Sequence, residues 1–198
     1  MVEVFYHAAP LAGLTSSMHC LVPIRLEEQV RPDLPRWPTM AYWRRIAAGV
    51  TVELNGNEER LAIGSFRKGN MDLPSIVDAT RDAPTLEHRE QATIAVRSLQ
   101  RCEGVLLICH SQFPGLFQDA VDNLRADLQR IGRRLEDIPT VVQATFQDIE
   151  GVPSPGSLGA LVGISEYFCV PSVAANCIGV REALSLLLSV VRSRGSRT

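Results

Sequence analysis

The chain has almost no net charge, no adjacent cysteine pair, no apolar stretch of membrane length and no internal repeat. Twenty Lys and Arg against 22 Asp and Glu leave a formal charge of −2 over 198 residues. Nothing electrostatic therefore recruits nucleic acid or an acidic membrane surface, and neither is an expected partner. The five cysteines, Cys20, Cys102, Cys109, Cys169 and Cys177, are scattered, and none forms C-x-x-C. They read as small buried hydrophobes rather than disulfides or metal ligands, which points to a reducing compartment. The four histidines, His7, His19, His88 and His110, show no metal-ligand spacing. No run reaches the roughly 18 apolar residues that a membrane span needs. The sequence opens on a strand-like run rather than a leader, so a cytoplasmic protein is expected.

What is present is an alternation of strands and helices. Val2 to Tyr6 is a short strand-like run, and Ser16 to Val22 is weakly helical. Residues 23 to 41 hold Pro23, Pro32, Pro35 and Pro38 and are expected as a loop, as is the aperiodic stretch 66 to 85. Between them, two β-branched or apolar runs flank Asn55-Gly56, a hairpin signal that places strands near 50–54 and 60–65. Ala92, Val96 and Leu99 mark a helix over 86–102. "GVLLIC" at 104–109 is a continuous apolar run, as in a strand covered on both faces. Phe117, Val121, Leu124, Leu128, Ile131 and Leu135 repeat at three and four, with Pro114 suited to the first turn. "IPTVVQA" and "YFCV" read as two further interior strands, with "LGALVGI" as a short helix between them. Val180, Ala183, Leu184, Leu187, Leu188 and Val191 form an amphipathic last helix. The expected fold is a three-layer α/β domain with a mostly parallel sheet and one hairpin, spanning 1–192, with a disordered basic tail at 193–198.

After the first strand comes "HAAPLAGLTSS", which has the length and the closing Gly-x-Thr of the phosphate loop G-x-x-x-x-G-K-[ST]. "CEGVLLICHSQFPGLFQDAVDNLRADLQRIGRRLEDIPTVVQATFQD" and "PSVAANCIGVREAL" follow in order. Together these stretches resemble the Ras-like small GTPases, and among them the bacterial gliding-motility protein MglA and its relatives. The likeness spans nearly the whole chain and is thinnest at 23–48 and 66–85, where the nucleotide-sensing switches would fall. It implies a P-loop NTPase-like fold and, at an intact site, GTP or GDP with magnesium.

The motifs are degenerate. A phosphate loop needs glycine for close backbone approach, lysine for the β- and γ-phosphates, and Ser/Thr for magnesium. Gly13, Thr15 and Ser16 are present, but Ala8 replaces the first glycine and Leu14 the lysine. Losing that charge-assisted contact costs roughly 1.5–3 kcal/mol of binding. Where the guanine motif N-K-x-D belongs stands "TFQD": Thr145 and Phe146 replace asparagine and lysine, and Asp148 keeps the carboxylate. Asp148 either accepts from a guanine or caps its loop. Phe146 would stack on a purine, a contact worth about 1–3 kcal/mol per base. Ala174 and Ala175, in "SVAAN", either offer amides to a base or fill a tight turn. No D-x-x-G or P-G-Q follows the third strand, where "AIGSFRKG" stands, with Gly64 as a possible remnant. Gln91 and Arg89 read as a solvated helix face rather than hydrolytic residues.

Cys109-His110 ends a buried strand at the edge where open α/β folds place their sites. Adjacent strand residues point to opposite faces, so a Cys–His nucleophile is disfavoured, and nothing in the spacing brings His7 or His19 in as its base. The expectation is a pseudo-GTPase of the MglA type, without catalytic residues, that acts by binding protein. The resemblance implies a roadblock- or longin-type partner in bacterial polarity or motility signalling. "RPDLPRWPTMAYWRRI" supplies Trp37, Tyr42, Trp43 and Arg44, residue types that dominate interfaces; the same tryptophans also suit a loop pinned to the body. The alternative is a divergent GTPase that still hydrolyses GTP slowly, with Thr15 holding magnesium.

Overall fold

A computed structural model describes residues 1–25, 28, 38–66 and 75–195. Six strands form one sheet in the order β2-β3-β1-β4-β5-β6: β1 (Val2–Ala8), β2 (Val50–Leu54), β3 (Asn57–Ser65), β4 (Gly104–His110), β5 (Thr140–Thr145) and β6 (Cys169–Pro171). Only β2 and β3 pair antiparallel; every other pairing is parallel. Asn55 and Gly56, at φ 52° and 77°, make the two-residue turn between β2 and β3 that the sequence announces. β6 is an edge strand and half-buried rather than interior, because nothing pairs with its far side.

The helices are α1 (Leu14–Leu21), α2 (Met40–Ala48), α3 (Ile76–Asp82), α4 (Leu86–Arg101), α5 (Pro114–Arg130), α6 (Pro155–Leu161) and α7 (Val180–Gly195). Strand alternation fixes their layers. A Cβ on Gly104 would meet Leu187 and Val191 of α7, while one on Gly64 would meet Ser98 of α4. Val4 pairs with both Gly104 and Ile63, so Gly64, one residue on, faces the other side. α7 and α4 therefore cover opposite faces. By the same register, Gln143 meets Ser17 of α1 on the α7 face, and His7 meets Ala120 of α5 on the α4 face. The result is a three-layer α/β domain around the wholly buried β4 and β5. Gly64 is a packing glycine, required by the close approach of α4.

Helices overlap both expected loops. α2 begins inside the proline-rich stretch, and its Met40, Trp43 and Ile46 make a buried stripe at helical spacing beside Tyr42. α3 lies inside the second stretch. Its amino end is held from a distance: the buried Asp127 of α5 accepts from Ser75 Oγ, Ile76 N and Val77 N. A short helix held by a carboxylate some fifty residues away leaves no local apolar period to read. The last helix runs past residue 192 to Gly195, anchored by Arg192 on Glu59 and Arg194 on the Asp137 carbonyl; residues 196–198 lie outside the described residues.

Candidate functional site

The parallel strands β1, β3, β4, β5 and β6 end at one carboxyl edge, where open α/β folds bind ligands. The loops leaving β1, β4, β5 and β6 are described, whereas residues 67–74 after β3, with Arg67 and Lys68, lie outside the described residues. The first leaves β1 at Ala8 and enters α1 through Gly13, which sits at φ 81° with no side chain capping the helix. Glycine adopts that left-handed turn without the strain that a side chain would add. The amides of Leu14, Thr15 and Ser16 are the first helical donors, and Thr15 and Ser16 are half-buried there. Leu14 points inward and is only 7% exposed, a member of the main core.

The second and third loops hold the first one in place. Thr145, at the end of β5, is buried, and its one hydroxyl proton lies between the carbonyls of Cys109 (2.8 Å) and Ala12 (3.1 Å). Ser111 Oγ donates to the Thr145 carbonyl and accepts from Gln147 Nε2 at 2.7 Å. The polar groups at the centre of this edge thus satisfy one another. Beside them Phe146, at φ 62°, stacks on His110 with centroids 4.0 Å apart and planes 16° from parallel. Phe113 covers His110 from another side at 4.6 Å. Phe146 is thus half-buried and stacks on an imidazole. Burial pushes the His110 pKa below the usual imidazole value, and its Nδ1 accepts from the Gln112 amide at 3.3 Å. Asp148 is exposed, and its carboxylate accepts no hydrogen bond from the described residues, so it does not cap its loop.

The fourth loop joins β6 to α7. Ser172 N donates to Ala144 O, and Val173 and Ile178 form a two-residue bridge that folds the loop back on itself. Ala174 is buried against Gly13, and Ala175 is exposed. Gly179, at φ 75°, has no room for a Cβ, which would lie 2.0 Å from the Pro171 carbonyl. Cys177 in this loop is bonded to Cys20 near the end of α1, across 157 residues of sequence. This overturns the expectation that all five cysteines are unpaired, and with it the argument from unpaired thiols to a reducing compartment. A pairing this distant in sequence is invisible without the fold. Cys102, Cys109 and Cys169 are free thiols.

None of the loop residues 9–13, 111–113, 146–154 and 172–179 is Lys or Arg. The sequence holds one sign of this: a single lysine, Lys68, among 20 basic residues, and it lies outside the described residues. The arginines of the flanks are spent elsewhere. Arg44 pairs with Glu90, Arg45 with Glu28, Arg101 with Glu3 and Arg130 with Asp78.

The expected interface stretch is rearranged. Tyr42 and Trp43 are buried and meet edge to face at 5.3 Å, and Tyr42 donates from its hydroxyl to the Val22 carbonyl. They pin α2 to the body and are not available to a partner; Arg44 is the exposed residue of the three. Trp37 lies outside the described residues. Gln91 is buried rather than solvated, and Arg89 is committed to the Ala83 carbonyl. Burial pushes the Cys109 thiol up to about 12, and no hydrogen bond joins it to His7 or His19. His7 Nε2 meets the Ala120 carbonyl instead, and burial lowers its pKa. Among the described residues no three His, Cys, Asp or Glu side chains come together as a metal site, and no helix is long and apolar enough to cross a membrane. No protein-family model matches this chain, and no curated protein is significantly similar to it.

Proposed function

We propose that this chain is a pseudo-GTPase of the Ras-like, MglA type, a cytoplasmic protein-binding module whose guanine-nucleotide site no longer holds a triphosphate. The observation that carries the reading is Leu14. At the place of the phosphate-binding lysine stands an apolar side chain that is buried in the core. Charge supports it: a nucleotide brings several negative charges, and the four described loops at the carboxyl edge offer no cation, only Asp148 and Glu150. The strand order, with an antiparallel β2 outside β3, supports the Ras-like assignment. A partner of the roadblock or longin type in polarity or motility signalling follows from the resemblance alone.

One feature favours the divergent-GTPase reading. Gly13 holds the left-handed turn of a phosphate loop, and the uncapped amides of α1 remain donors for an anion. Thr15 would then hold magnesium. The two readings separate on nucleotide carried through purification. Protein purified in magnesium buffer, denatured and chromatographed should release no GDP or GTP. Release near one nucleotide per chain overturns the pseudo-GTPase reading.

A further inference from the structure

We propose that the Cys20–Cys177 disulfide is a reversible redox site, reduced by a dithiol, and that its reduction frees the loop between β6 and α7 from α1. The two cysteines have Cα atoms 5.4 Å apart, within the span a disulfide bridges without moving the backbone. Cys177 is the exposed residue of the pair and Cys20 is half-buried, so the proposal takes Cys177 as the side an incoming thiolate attacks. Its attack forms a mixed disulfide at Cys177 and expels the Cys20 thiolate, which takes up a proton. The reductant's second thiolate then displaces Cys177, which is protonated in turn. Two thiols remain on this chain and one disulfide on the reductant, a transfer of two electrons and two protons.

The other thiols do not compete. Cys102 and Cys109 are buried, and burial raises the pKa of both as well as that of the half-buried Cys169. They stay protonated and poor in exchange. The chain's redox state therefore reduces to one pair.

That pair sits where its state changes the edge most. Residues 175–178 are all exposed, and the hydrogen bonds at Val173, Asn176, Cys177 and Ile178 all stay within the loop. Ala174 packs beside Gly13 and its carbonyl lies 3.3 Å from Cys20 Sγ, so the disulfide is the covalent one among the contacts that hold this loop to α1. The proposal stands on the geometry and does not need the pseudo-GTPase reading.

The test is hydrogen exchange on the full chain equilibrated with oxidised glutathione or with dithiothreitol, together with thiol counting by alkylation in denaturant. The oxidised protein should expose three alkylatable thiols and the reduced protein five. Reduction should speed amide exchange in residues 173–178 at least tenfold and leave β4 protected, and re-oxidation should reverse it. Cys177→Ser should show four alkylatable thiols and the loop exchange of the reduced protein. Five thiols after oxidation, unchanged loop exchange, or loss of β4 protection along with the loop each overturns the proposal. The last outcome would make the bond a structural staple.

Discussion

The carboxyl edge and the α2–α4 flank solve opposite problems. At the edge, the polar groups of Thr145, Ser111 and Gln147 are directed at carbonyls and at one another, and the four described loops hold no cation. On the flank, arginines are plentiful and sit in surface ion pairs such as Arg44–Glu90. A nucleotide site would need the reverse, with cations facing the crevice and apolar packing behind. The difference teaches that Leu14 and the stack of Phe146 on His110 belong to the body of the domain. The edge has been filled from within.

The largest effects expected from breaking this comparison are in the two buried side chains that an interface or phosphate role would leave exposed. Trp43→Ala should cost roughly 3–5 kcal/mol of stability, because a buried indole leaves a large cavity. Leu14→Ala should cost about 2–5 kcal/mol for the same reason. Urea unfolding measures both; a loss within error for either residue places it on the surface instead.

An intermediate effect is expected from pH. Burial lowers the pKa of His7 and of His110, so both are held neutral in the folded chain while the unfolded chain protonates them. The folded values are depressed, so this stability is full above the ordinary imidazole value of about 6.5 and is lost as pH falls below it. Each histidine contributes a slope of at most about 1.4 kcal/mol per pH unit. Glu28 adds a second loss at lower pH, because the hydrogen bond from Arg45 holds its carboxyl below the usual range. Unfolding free energies from pH 7.5 to 5 should therefore decline, and His110→Asn should flatten the decline. A flat profile in the native chain would mean that both rings are solvated.

The smallest effect is expected from Arg44→Ala. Arg44 and Glu90 are exposed at 56% and 38%, so water and salt screen the pair. The melting temperature should stay within error, which makes this the clean variant for asking whether a partner touches α2. A clear drop would give the flank a structural role.

Much of this was legible in the sequence where the signal is local. The Asn55-Gly56 turn, the continuous apolar runs of β4 and β5, and the three-and-four spacing of α5 and α7 each depend on neighbours in the chain. α2 was hidden because prolines precede it and only nine residues carry its stripe. α3 was hidden because its seven residues bury only Ile76 and Ala79, and its local cap, Ser75 on the Asp78 amide, is completed by Asp127 from far away. At the site, the departures of Ala8, Leu14, Thr145 and Phe146 from the phosphate-loop and guanine motifs were plain, but what these side chains do instead was not. The hydroxyl of Thr145 on Ala12, the imidazole under Phe146 and the Cys20–Cys177 bond all join residues more than thirty apart. Only the fold brings them together.

The central proposal, that the carboxyl edge does not hold a guanine nucleotide, is tested most directly by calorimetric titration of the purified chain with GTP and with GDP at millimolar magnesium. The account predicts dissociation constants weaker than micromolar for both nucleotides. A sub-micromolar constant for either would contradict it.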